Sequence, residues 1–225
     1  MASDHNVVSW WNRTSFRLKH LGASEATHHL PHRLINVFFP YNSFVCVSVA
    51  FEHWHPQNCD PPYEIRPLRE DEIGSLVRMN DAEITSEFAR RATTRGDECY
   101  GIVAGEAVES YLWVAHHATP LTDDLTVHFN AKLAYVYKAF TMPRLRGNGL
   151  MPALLRVVLN ECANRKYCAA VACIETTNQP SLRAFKTAGF TPFGTVHIAR
   201  PIHGCWITAS PKANDFGFRI VHNPQ

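Results

Sequence analysis

Period-two alternation and short apolar runs predict strands at residues 63–68, 99–104, 107–115, 133–141, 169–174 and 190–199. Between them the apolar positions shift to helical spacing. Arg69, Glu70, Asp71 and Glu72 open one helix, where acidic side chains meet the positive end of the helix dipole. A second helix is predicted over 82–93. A third, over 149–164, repeats its apolar positions through Met151, Leu154, Leu155, Val158 and Cys162, with Pro152 tolerated in the first turn. A short fourth helix follows at 180–188. Gly96 and Asp97 read as a turn, Gly105 and Glu106 as the tip of a hairpin, and residues 116–130 as a polar, His-bearing loop. The order, βααββ and then βαβαβ, predicts a mixed α/β fold.

Upstream, residues 44–51 form a strand-like run preceded by 35–39 and the turn-prone 40–43, which predicts a β-hairpin. Residues 55–62, rich in Pro, Asn and Asp, read as a boundary. The expected organisation is an N-terminal extension, 1–62, whose hairpin packs on or beside a main domain, 63–209, followed by a C-terminal tail, 210–225.

With 46% hydrophobic residues the 225-residue chain has enough apolar side chains for a full core. Its formal charge of +2, from 22 basic and 20 acidic residues, gives no net field for a polyanion, so nucleic acid is not expected as a partner. No run reaches the length of a membrane span, and the first residues do not read as a secretory signal. Seven scattered cysteines, most in apolar runs, suit a reducing compartment, so the cytoplasm is expected. Cys99, Cys162 and Cys173 read as core. His28, His29 and His32, or His53, His55 and Cys59, have spacings that match no zinc pattern, so no metal is expected.

The chemistry concentrates in Pro143-Arg144-Leu145-Arg146-Gly147-Asn148-Gly149-Leu150, between a strand and a helix. Two glycines there let consecutive N–H groups face outward, and such a nest at a helix N-terminus binds phosphate oxygens. Arg144 and Arg146 add charge suited to a pyrophosphate. A turn whose glycines only relieve steric crowding is the alternative for this stretch taken alone. A dinucleotide loop of the G-x-G-x-x-G type is disfavoured, because Pro152 stands where the third glycine belongs and too few strand–helix units follow.

A second motif comes about thirty residues later: Asn178, Ser181, Gly189 and Phe190 within residues 178–190. Together, Arg144-x-x-Gly147-x-Gly149 and this later motif resemble the GNAT superfamily of acyl-CoA-dependent N-acyltransferases, over roughly residues 63–200. The resemblance implies a mostly antiparallel central sheet with one splayed strand pair and flanking helices. It implies acetyl-CoA or another acyl-CoA as co-substrate and an amine of a small molecule or protein as acceptor, with a homodimer as one possible assembly.

It further implies that backbone groups of Phe140, Thr141 and Met142 pair with the pantetheine arm. One N–H in that region would face the oxyanion formed when an amine attacks the thioester. Arg144, Arg146, Gly147, Asn148, Gly149 and Leu150 would hold the phosphates, while Asn178 would contact the pantetheine amides and Ser181 the pantetheine or the phosphate end. Capping of the helix that follows explains Asn178 and Ser181 as well, and the two roles coexist.

Where many members of the family have a tyrosine that protonates the departing thiolate, this chain has Phe185. Either the thiolate leaves unaided, its thiol having a pKa of about 8.5, or Tyr135 or Tyr137 supplies the hydroxyl. Glu175, at the end of its strand, is the candidate base that would take the amine's proton; a carboxylate capping the next helix is the alternative. Glu109, Tyr111 and Trp113 share one strand face that either lines an acceptor pocket or is simply core. Glu87, Arg90 and Arg91 lie on the second helix, over the acceptor or in solvent. The missing tyrosine leaves a second class of function open, an acyl-CoA-binding module that senses or recruits without turnover.

Overall fold

The computed structural model describes residues 41–52, 54–56, 63–79, 83–122, 124–200, 204–215 and 217–223. The first arm of the expected hairpin, residues 35–39, and most of the two histidine clusters lie outside this set.

Eleven strands are described: β1 (Tyr41–Ala50), β2 (Glu64–Pro67), β3 (Glu98–Ala104), β4 (Ala107–Ala115), β5 (Thr119–Thr122), β6 (Leu125–His128), β7 (Leu133–Thr141), β8 (Ala169–Glu175), β9 (Thr191–Ala199), β10 (Trp206–Ala209) and β11 (Arg219–His222). The helices are α1 (Glu70–Arg78), α2 (Ser86–Thr94), α3 (Leu150–Asn164), α4 (Gln179–Thr187) and the short α5 (Pro211–Asp215). An eight-stranded sheet runs in the order β10-β9-β1-β8-β7-β4-β3-β2. Its described pairings are antiparallel except β7 with β8, which are parallel. This is the mixed α/β fold that the element order predicts, with the mostly antiparallel sheet and flanking helices that the family resemblance implies.

Side-chain alternation gives the sheet two apolar faces. One buries Ile102, Leu112, Val114, Val136, Ala172 and Ile174 under Leu150, Leu154, Leu155, Val158 and Leu159 of α3. The other is covered in two parts. α1 and α2 contribute Leu76, Ala89 and Ala92 over Cys99, Tyr111, Trp113 and Phe140. A three-stranded sheet, β11-β6-β5, contributes Leu125, Val127 and Ile220 over Tyr135, Val171, Val196 and Ile198. α1 is anchored at its start, where the Glu72 carboxylate accepts from the Arg69 N–H at 2.8 Å and from Arg66 at 2.7 and 2.8 Å.

Two expected boundaries do not coincide with the sheets. β1, assigned by sequence to an extension ending at residue 62, lies inside the main sheet between β8 and β9, in register with β8 from Phe44↔Glu175 to Ala50↔Ala169. Val45, Val47 and Val49 pack on the α3 side and Cys46 on the other, so β1 supplies core to both layers. The expected tail from residue 210 contains β11, which pairs with β6. Residues 116–130, expected to be loop, hold β5 and β6, because Leu125 and Val127 alternate inward and are fully buried.

Candidate active site

β7 and β8 separate partway along their length. Their pairing runs from Leu133↔Ala169 to Val136↔Ala172 and stops, although β7 continues to Thr141 and β8 to Glu175. Residues 173–175 remain paired on their other side with β1, and residues 140–141 with β4. A V-shaped gap therefore opens between two strands that are each held rigidly from behind.

A β-bulge reshapes β7 beside this gap. The β4–β7 register shifts between Tyr111↔Phe140 and Trp113↔Tyr137, which gives β7 one extra residue, and Lys138 takes a left-handed φ of 53°. A non-glycine residue there is strained backbone, sustained by the ladder on both sides. Beyond the bulge, Ser110 locks the strand by donating to the Phe140 carbonyl at 3.0 Å, with Thr141 Oγ1 2.9 Å away.

The alternation of an antiparallel ladder decides which backbone groups face the gap. Met142 donates its N–H to the Glu109 carbonyl at 3.0 Å, toward β4. Phe140, two residues earlier, points the same way. Thr141, between them, directs its N–H and C=O into the gap, where its carbonyl accepts from Arg146 Nε at 3.2 Å. Of the three positions expected to offer backbone groups, Phe140 thus turns its own toward the neighbouring strand, and Met142 donates there while its carbonyl accepts from the Leu145 N–H at 2.8 Å. Thr141 is the one that faces the gap.

The phosphate-binding candidate follows at the open end of the gap. Pro143–Leu145 form one 3₁₀ turn, and Gly147 and Gly149 adopt φ of 86° and 75°. A Cβ at either glycine would meet no heavy atom within 4 Å, so conformation alone demands glycine at both positions. Asn148 closes the loop by donating to the Leu145 carbonyl at 3.2 Å. Gly149 caps α3 without a side-chain bond, so the N–H groups of Leu150 and Met151 have no intrahelical acceptor. The sequence marks Met151 only as an apolar helix position and gives no sign of its free N–H; Pro152 after it has no N–H to add. Arg144, Arg146, Gly147, Asn148 and Gly149 are all exposed. The Arg146 guanidinium also lies 5.4 Å from the Phe140 ring centre, and Arg144 is 3.9 Å from Glu109.

Asn178 caps α4, its Oδ1 accepting from the Ser181 N–H at 3.3 Å. Ser181 is half-buried in the first turn of that helix. Phe185 is buried against Phe190, with ring centres 4.9 Å apart, and belongs to the core on the α3 side.

The remaining candidates lie on the opposite face. Alternation puts Glu175 and Cys173 on the side of Val171, together with Tyr135 and Tyr137 of β7. Glu175 is half-buried at the end of β8. Tyr135 is buried and stacks on Tyr137 at 5.6 Å, and burial pushes its hydroxyl well above the usual tyrosine range. Tyr137 donates to Asp97 Oδ2 at 2.6 Å and accepts from Arg95 Nη2 at 3.3 Å. Burial, reinforced by Asp97, raises its pKa too. Tyr111 and Trp113, weighed as pocket lining, are fully buried core. Glu87 is exposed and bonds Arg90 and Arg91 along α2, a solvated charged face. Cys99 and Cys162 are buried as expected, whereas Cys173 is half-buried, 3.9 Å from Cys46 Sγ.

A family model for the acetyltransferase (GNAT) family matches residues 80–190. Among solved structures, the chain resembles a GNAT-family protein from Novosphingobium aromaticivorans (TM-score 0.51, 17% identity, 70% of this chain and 62% of that one). It also resembles a Drosophila protein (TM-score 0.52, 15% identity, 83% and 58%). A GCN5-related N-acetyltransferase from Sphaerobacter thermophilus matches as well (TM-score 0.53, 12% identity, 77% and 56%). The chain thus spans about three-fifths of the length of these structures. A search of curated proteins finds no match. The chain carries an acetyltransferase domain of the GNAT family.

Proposed function

We propose that the chain is an N-acyltransferase that moves an acyl group, acetyl in the simplest case, from coenzyme A to a primary amine of a small molecule or protein. The observation that carries this reading is the gap between β7 and β8, with Thr141 facing into it and the glycine loop of α3 at its open end. An extended pantetheine arm would pair with Thr141 as an added strand does. The amides of 147–151 and the charges of Arg144 and Arg146 would hold the pyrophosphate. Ser181, and the part of Asn178 not used in capping, would touch the pantetheine amides. The free thiols are consistent with a reducing, cytoplasmic setting.

The amine attacks the thioester carbon within a ternary complex; the C–N bond forms, and the C–S bond then breaks. Backbone N–H groups at the bulge are the candidates for stabilising the oxyanion. Glu175 and Tyr137, on the face opposite α3, are the candidates for proton transfer. With Phe185 buried in the core, the side chain at that position offers the thiolate no proton.

The experiment is release of free thiol from acetyl-CoA with a panel of amines, alongside calorimetric binding of acetyl-CoA. Amine-dependent release is expected. Tight binding without release from any amine would instead favour a sensor or interaction module, the reading that Phe185 supports.

A further inference from the structure

Tyr137 is the first residue of β7 beyond the last pair with β8, so its side chain stands at the vertex of the gap, on the face opposite α3. Its hydroxyl hydrogen is directed to Asp97 Oδ2 at 2.6 Å. It therefore has no proton to give a thiolate in this geometry; what it offers the vertex is a lone pair. Asp97, read from sequence as a turn residue, has a side chain with no solvent exposure. Its Oδ1 accepts no hydrogen bond among the described residues. A buried carboxylate oxygen without a donor is costly; it stands beside the Tyr137 hydroxyl, and Arg95 Nε and Trp113 Nε1 of the same cluster also lack a partner among the described residues. Arg95 Nη2 spans both partners, 2.6 Å from Asp97 Oδ2 and 3.3 Å from Tyr137 Oη. Phe88 and Trp113 wall the cluster, their rings 5.4 Å apart edge to face, and Phe88 lies 6.1 Å from Tyr137. Lys138 Nζ lies over the Phe88 ring, 5.4 Å from its centre.

We propose that Tyr137 and Asp97 form a proton relay at the vertex of the gap, in which Tyr137 accepts a proton from the attacking amine while passing its own to Asp97, with Arg95 as the positioning residue. The inference rests on the acyltransferase reading above. In the step, the amine lone pair forms the C–N bond and leaves nitrogen positively charged. One N–H proton moves to Tyr137 Oη as the tyrosine proton moves to Asp97, which becomes a neutral acid. Collapse of the intermediate breaks the C–S bond, sulfur takes the electron pair, and the proton returns from Asp97 through Tyr137 to the thiolate. Thioester and amine become amide and thiol, and both residues end as they began. The relay thus supplies base and acid in a chain whose Phe185 supplies neither.

The test compares wild type with Asp97→Asn and Tyr137→Phe in amine-dependent thiol release, in light and heavy water, with unfolding midpoints and acetyl-CoA binding measured for each. Each variant is expected to lose kcat on the order of 10²-fold, the usual share of acid–base catalysis. KM for acetyl-CoA should stay within about twofold, since the two residues act at the reacting atoms and not on the pantetheine amides or the phosphates that hold the cofactor. The solvent isotope effect on kcat should collapse, and the double variant should be no slower than the slower single one. Wild-type kcat and isotope effect in either folded variant, or multiplicative losses in the double variant, overturn the relay. If Asp97→Asn does not fold, Tyr137→Phe, which removes one hydroxyl, decides alone. A wild-type protein that binds acetyl-CoA but releases no thiol overturns the relay and leaves the binding cradle standing; one that binds no acetyl-CoA overturns both.

Discussion

Val136 of β7 and Ala172 of β8 are the last partners joined between the two strands, and both chains continue beyond them without pairing to each other. Exposed strand edges inside a sheet are unusual, because unpaired backbone groups invite another strand. Here each edge is kept open by a firm attachment on its far side, β8 to β1 and β7 to β4.

Arg146 lies where the gap meets the glycine loop, with its Nε on the Thr141 carbonyl. Arg146→Glu should weaken acetyl-CoA binding by at least ~1.5 kcal/mol, the loss of one charge-assisted contact, with no change of fold by circular dichroism. Unchanged calorimetric affinity would remove this arginine from the site.

Gly149 holds φ of 75° with open space where a Cβ would stand. Gly149→Ala should cost about 1–2 kcal/mol in thermal or denaturant stability from backbone strain alone. It should also misdirect the first amides of α3, raising KM for acetyl-CoA more than it lowers kcat. Equal stability and equal KM would mean that the left-handed turn is not required.

Two groups give the fold an acid sensitivity in separate windows. His116 is half-buried, with its Nδ1 2.8 Å from the Tyr167 hydroxyl, and burial lowers its pKa despite the opposing Glu98. A folded state that resists protonation contributes stability fully present above the unfolded value near 6.5 and lost as pH falls below it. Glu72 is held down to about 2, first by its hydrogen bonds from Arg66. Its contribution is present above about 4.5 and disappears as pH falls toward 2. Urea midpoints against pH should therefore decline in two stages. His116→Gln should flatten the upper stage, and Glu72→Gln should make the lower one shallower, Glu98 and Asp124 also being held below the usual carboxylate range, while costing about 1–2 kcal/mol at neutral pH. A wild-type slope in either variant contradicts that assignment.

Much of this structure is legible in the sequence, for reasons that differ by element. The β3–β4 hairpin follows from clean alternation on either side of Gly105. α3 follows from its apolar spacing and from the two glycines that precede it. Four-residue strands such as β5 and β6 carry too few alternations to separate from loop, and Leu125 and Val127 reveal their role only once Tyr135 and Val171 lie beneath them. The place of β1 is non-local: alternation shows a strand, whereas its seat between β8 and β9 depends on partners more than a hundred residues away. Lys138 is the hardest case, since nothing in a lysine announces a left-handed bulge. Asp97 was legible as a turn residue and illegible as a buried one, because Arg95 and Tyr137, which make its burial tolerable, meet it only in the fold.

The central claim is that the gap beside Thr141 receives the pantetheine arm. Site-resolved amide hydrogen exchange with and without saturating acetyl-CoA tests it directly. The Thr141 amide, which faces the gap, should slow by at least tenfold on binding, while the Met142 amide, already bonded to Glu109, should change little. Acetyl-CoA bound at saturation with the Thr141 exchange rate unaltered would contradict the account.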